Sequence, residues 1–173
     1  DHTVWKPEPA EISNRLGWLT APADILKLLP QIQDITDQAI ADGFKEIVLL
    51  GMGGSSLAAE VFAQIFGPRE GYPRLSVLDT TDPWTIARYA GIADSRKTLF
   101  IVSSKSGTTT ETVSLFYYFH NRVLEKSKIQ ANRNFIVITD PQSPLTKLAS
   151  KLSLRHLFLG NPDIGGRYSA LSL

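Results

Sequence analysis

Five short apolar runs punctuate the chain, and each gives way to Gly, Ser, Thr or Asp before a stretch with helical spacing. The runs are 46–50 (EIVLL), 75–78 (LSVL), 98–102 (TLFIV), 134–138 (NFIVI) and 156–159 (HLFL). A strand with one wet face alternates apolar and polar residues; near-continuous runs such as these predict parallel strands covered by helices on both faces. The stretches between them at 55–66, 83–90, 109–126 and 143–151 predict helices long enough for right-handed βαβ crossovers. Ahead of the first run, Ile25, Leu28, Leu29, Ile32, Ile35 and Ile40 keep helical spacing up to a stop at Gly43. Pro30 interrupts that pattern and predicts either a break or a helix start near it. The expected fold class is α/β, a three-layer doubly wound sandwich around a five-stranded parallel sheet. Residues 1–21, with Trp5, Pro7 and Pro9, read as an irregular arm or linker, and 22–173 as one domain. Ligands of such sheets sit beyond the carboxyl ends of the strands, near the point where strand order reverses.

Composition narrows the partners. Eighteen basic residues against 17 acidic leave a formal charge of +1, so no basic surplus points to nucleic acid and no charge block to an anionic membrane. The uncharged run at 47–59 is too short to cross a bilayer, and residues 1–10 lack the apolar centre of a secretory signal. The chain has no cysteine, which removes disulfides, thiolate nucleophiles and cysteine zinc sites. These features predict a soluble, cytoplasmic domain, and no histidine pair has metal-ligand spacing.

Three loops follow strand ends. Gly51-Met52-Gly53-Gly54-Ser55-Ser56 follows the first run. Glycines there let backbone approach a ligand, although a bare strand-to-helix turn would read the same way. A dinucleotide fingerprint needs a third glycine where Ser56 stands, and no Gly-Lys-Ser/Thr follows to make a Walker loop. Ser103-Ser104-Lys105-Ser106-Gly107-Thr108-Thr109 follows the third run and gathers hydroxyls where a helix begins. Hydroxyls and unpaired helix N–H groups together surround a phosphate without high net charge. Thr108 and Glu111 also have capping-box spacing, which accounts for two residues of the cluster. Gly165-Gly166-Arg167-Tyr168-Ser169 follows the fifth run and presents an arginine either to the same crevice or to solvent. Asp79, Asp82 and Asp140 read as turn or cap residues, His120 and His156 as core or surface residues, and Tyr117, Tyr118 and Phe119 as a helix packing face.

Taken in order, Gly51-Met52-Gly53-Gly54-Ser55, Ser104-Lys105-Ser106-Gly107-Thr108-Thr109-Thr110-Glu111-Thr112 and Gly165-Gly166-Arg167-Tyr168-Ser169 resemble the phosphoglucose isomerase family and its sugar isomerase (SIS) domain. The resemblance covers about residues 44–173. Its wording is most similar to the isomerase portion of transaldolase fusions, with Asn14-Arg15-Leu16-Gly17-Trp18-Leu19 as the entry from a transaldolase segment. The loop reads Ser-Lys-Ser-Gly-Thr-Thr where many members have Ser-Lys-Thr-Phe-Thr-Thr. Ser106 keeps a hydroxyl, and Gly107 removes an aromatic wall.

The resemblance implies that Ser104, Lys105, Ser106 and Thr109 hold a sugar phosphate, Lys105 through its backbone. It implies that Gly54 and Ser55 touch the sugar and that Arg167 is the catalytic group stabilising an enediolate. The implied reaction interconverts glucose 6-phosphate and fructose 6-phosphate, a step of glycolysis and gluconeogenesis, by proton transfer without metal or cofactor. The family's base, a glutamate, and its ring-opening histidine and lysine lie beyond the arginine loop. The expectation is therefore the first half of an isomerase, inactive alone, with a second SIS domain in the same chain and a homodimer. The alternative is a stand-alone SIS module that senses a phosphosugar. Arg167 favours the enzyme, because a sensor has no enediolate to stabilise.

Overall fold

The computed structural model describes residues 1–93, 97–126 and 131–171. Ser172 and the expected domain end at Leu173 lie outside the described residues. Five strands, β1 (Glu46–Gly51), β2 (Arg74–Leu78), β3 (Thr98–Ser103), β4 (Phe135–Thr139) and β5 (His156–Leu159), form one parallel sheet in the order β2-β1-β3-β4-β5. The chain steps outward from β1 to β2 and then returns to β1's other side as β3. The strand order therefore reverses between β1 and β3, and a crevice opens there at the carboxyl edge. Register aligns the two strands that flank it, with Gly51 opposite Ser103.

Five helices connect or precede the strands: α1 (Ala21–Ala41), α2 (Leu57–Phe66), α3 (Pro83–Ile92), α4 (Thr110–Lys126) and α5 (Pro144–Leu152). Alternation along the strands sends Val48, Leu50, Phe100, Val102, Phe135 and Val137 to one face, where they meet Phe116 and Phe119 of α4 and Ala149 of α5. Phe100 stacks on Phe135 at 5.0 Å and packs on Phe119 at 4.9 Å, with all three rings fully buried. Truncating one such ring to alanine costs about 3–5 kcal/mol. The opposite face, carrying Ile47, Leu99, Ile101, Ile136 and Ile138, packs on Ile32, Ile35 and Ala39 of α1.

Pro30 does not break α1, which runs uninterrupted from Ala21 to Ala41. The missing hydrogen bond would have ended on the Leu26 carbonyl, and both Leu26 and Pro30 lie on the helix's exposed side, where water serves the freed acceptor. The helix stops at Gly43, whose φ of +80° suits a residue without Cβ. Asp82 caps α3 through the Thr85 N–H at 2.8 Å, with Pro83 next in line, as the turn-and-cap reading expects. The Thr108/Glu111 box does not form. The Val113 N–H bonds the Thr109 carbonyl, so the helix starts one residue later than the box requires. Of the expected aromatic packing face only Phe119 is buried; Tyr117 and Tyr118 are exposed. No helix among the described residues is long and apolar enough to cross a membrane.

Candidate functional site

At the carboxyl edge, the turn after β1 fixes the first wall. Gly53 takes a φ of +54°, and the Ser55 N–H closes the turn on the Met52 carbonyl at 3.1 Å. Gly54 matters for what it lacks. A Cβ there would collide with the Gly166 carbonyl and lie 2.6 Å from Ser169 Oγ. The absence of a side chain at Gly54 therefore lets the arginine loop close against the β1 turn, and Ser55 Oγ meets Ser169 Oγ at 3.5 Å.

The loop after β3 supplies two hydroxyls with protons to spare. A hydroxyl has one O–H donor and two acceptor lone pairs. Buried Ser104 donates its proton to Thr109 Oγ1 at 3.0 Å, leaving the Thr109 proton for another acceptor. Ser106 Oγ accepts from the Thr108 N–H at 3.2 Å and from the Thr108 hydroxyl at 2.9 Å, so its own proton is also unspent. Beside them the first N–H groups of α4 have no intrahelical partner. The tight bend rests on Gly107, with φ +67°, where a Cβ would stand 2.8 Å from Ser143 Cβ.

The third wall joins the two ends of the described chain. Arg167 sits in a turn closed by the Tyr168 N–H on the Gly165 carbonyl at 2.9 Å. The N-terminal arm lies against this turn: the Gly17 N–H donates to the Asp163 carbonyl at 3.0 Å, Leu16 bridges Ile164, and Trp18 stacks on Tyr168 at 6.2 Å.

These walls enclose a cavity of about 660 Å³. Of the residues expected from the sequence, Ser55, Lys105, Ser106, Thr109 and Arg167 line it; Ser104 and Gly54 do not, standing one layer behind as support for Thr109 and for the arginine loop. Met52 and Tyr168, within the glycine and arginine motifs, and Asp140, read as a turn or cap residue, also line it, as do Glu11 and Arg15, which no site motif marks. Lys105 Nζ is held by Asp140 at 2.7 Å, and Arg15 is held by Glu11 at 2.6 Å. Arg167 has no hydrogen-bond or ion-pair partner among the described residues. Two cations are thus neutralised and one remains, which makes the cavity a receptor for an anion.

The phosphoglucose isomerase family model matches residues 28–173. The chain belongs to the phosphoglucose isomerase family. A glucose-6-phosphate isomerase of Thermus thermophilus is 33% identical over 164 residues, covering 94% of this chain and 38% of that protein. A probable glucose-6-phosphate isomerase of Methanococcus maripaludis is 31% identical over 166 residues, covering 94% of this chain and 36% of the relative. Among solved structures, a hypothetical protein of Thermus thermophilus superposes with a TM-score of 0.81 at 32% identity, over 94% of this chain and 38% of that one. A glucose-6-phosphate isomerase of Chlamydia trachomatis gives 0.69 at 28% identity, over 80% and 26%. The chain therefore spans well under half the length of these phosphoglucose isomerase relatives. The five-stranded parallel architecture is the one expected from its sequence.

Proposed function

We propose that the cavity is the phosphate-binding and enediolate-stabilising half of a site that interconverts glucose 6-phosphate and fructose 6-phosphate. The observation that carries this reading is the pairing of a hydroxyl cluster with one uncompensated guanidinium across a single crevice. The Thr109 and Ser106 hydroxyls and the opening N–H groups of α4 bind the phosphate. Ser104 orients Thr109, and Lys105 contributes backbone, its ammonium being engaged by Asp140. Ser55 borders the sugar, and Gly54 behind it lets the arginine loop close.

In the reaction, a base takes the proton from C2 and returns it to C1, while the C–H electron pair moves into the enediolate and back. Negative charge grows on the oxygens at these carbons, and Arg167 stabilises it more strongly in the transition state than in the ground state. By the family resemblance, the base lies beyond the arginine loop. A sensor would have no use for that charge, and the unpaired Arg167 therefore favours the isomerase.

Isothermal titration of the chain with glucose 6-phosphate and with glucose tests the reading. The expected outcome is binding of the phosphate ester only, weakened by Thr109→Ala, with no turnover in a coupled assay. Equal binding of glucose, or turnover by the chain alone near the rate of a full-length relative, overturns it.

A further inference from the structure

The arm from Arg15 to Trp18 makes contacts that no packing requirement of the sheet explains. It touches the segment carrying Arg167 on both sides of that residue. On the near side, Leu16 bridges fully buried Ile164, and Gly17 donates to the Asp163 carbonyl at 3.0 Å. Gly17 has no room for a side chain, since a Cβ would lie 2.8 Å from Asn161 Nδ2 and 3.1 Å from the Asp163 carbonyl carbon. On the far side, the Trp18 ring stacks on Tyr168 with 21° between planes. Between these anchors lies the turn that presents Arg167, closed by the Tyr168 N–H on the Gly165 carbonyl and seated on the β1 turn at Gly54 and Ser55. Arg167 is exposed and has no partner of its own among the described residues, so its direction is set by the backbone beneath it.

We propose that Gly17 and Trp18 are positioning residues for Arg167. They clamp the two ends of its turn and hold the guanidinium at the cavity. The inference rests on the reading of Arg167 given above. A guanidinium stabilises an oxyanion only when held in place, so removing an anchor from its turn is felt at the cavity as misalignment. The clamp is local: Trp18 does not line the cavity that Thr109 and Ser106 line, so loosening it should leave phosphate binding alone.

Two probes separate the ends of the ligand. Sorbitol 6-phosphate carries the phosphate and a neutral C1, whereas 6-phosphogluconate carries the phosphate and a carboxylate at C1. Their affinity ratio reads the guanidinium, because a charge-assisted hydrogen bond is worth about tenfold or more in affinity. In titrations of the chain, the ratio should favour 6-phosphogluconate and collapse towards one in Arg167→Ala. Trp18→Ala should collapse it several-fold with sorbitol 6-phosphate affinity unchanged, and Trp18→Phe, which keeps a stacking ring, should restore most of it. Gly17→Val should act like Trp18→Ala.

A ratio that survives Trp18→Ala while falling in Arg167→Ala overturns the clamp and leaves the role of Arg167 standing. Loss of both affinities together in Trp18→Ala makes the arm a general structural element and also overturns the clamp. A chain that binds neither probe, or a ratio indifferent to Arg167→Ala, instead sinks the underlying reading of the site.

Discussion

Lys105 Nζ stands 2.7 and 2.8 Å from the two carboxylate oxygens of Asp140 and 2.8 Å from the Asn161 carbonyl. An ammonium has three protons, and here all three are spent within the protein. Lys105 therefore ties the β3 loop to the loops after β4 and β5. Lys105→Met should lower unfolding free energy by about 1–3 kcal/mol, because it strands the largely enclosed Asp140 carboxylate. Adding Asp140→Leu should recover part of that loss. Urea unfolding of both single variants and the double variant checks this, and strictly additive losses would contradict the pairing.

Thr109 and Ser104 should separate by one layer. Thr109→Ala removes the donor facing the cavity and should weaken glucose 6-phosphate binding by about 1.5–3 kcal/mol. Ser104→Ala removes only the group that orients Thr109 and should cost less. Calorimetric affinities that fall equally in both variants would mean that Ser104 itself reaches the ligand.

The family resemblance puts Gly107 at a position for an aromatic wall, and its backbone explains why it cannot be exchanged freely. At φ +67° with Ser143 Oγ 2.7 Å from a would-be Cβ, Gly107→Ala should cost about 1–3 kcal/mol through strain alone. Gly107→Phe should be worse and should not build a wall for the pocket. Thermal unfolding of the two variants decides it; a Phe variant as stable as the parent would show that the loop can remodel.

The sheet and its order of elements were legible because strands buried on both faces read as near-continuous apolar runs, each followed by a turn and a helical stretch. The three glycine and hydroxyl loops were legible for a related reason, since they follow strand ends. Glu11 and Arg15 were not. They lie in an arm with no periodicity, and their place in the cavity depends on Leu16 finding Ile164, a pairing that local sequence does not encode. Asp140 was visible as a strand-end residue, but its partner Lys105 is 35 positions away. Pro30 misled because intrinsic helix preference ignores which side of the helix faces water.

In a full-length isomerase, Arg167→Ala should mainly lower kcat, whereas Thr109→Ala should mainly raise KM. The phosphate does not change during proton transfer, while charge beneath the guanidinium does. Arg167→Lys should recover only part of the rate, lacking the planar fork. Steady-state kinetics with an unchanged kcat in Arg167→Ala would reduce that residue to a binding group.

His156 should make the fold acid-sensitive. Burial lowers its pKa from the ordinary 6.5, and its Nε2 accepts from the Gln31 amide at 3.1 Å only while unprotonated. The unfolded chain then binds more protons than the folded one, so stability falls as pH drops through about 6.5. Urea midpoints at about pH 7.5 and about pH 5.5 should therefore differ more for the parent than for His156→Gln.

The meeting of arm and arginine loop also dictates when the site comes into being. Arg15 and the Pro162 carbonyl are 147 positions apart, so their hydrogen bond closes nearly the whole described chain into a ring. Ring closure of that span is entropically costly and comes after the shorter βαβ pairings have formed. On the ribosome the arm emerges ahead of the strands and waits, with Trp18 unstacked, until the arginine loop has been made. The sheet assembles in the meantime, and the crevice at its edge gains its third wall only when arm and arginine loop meet.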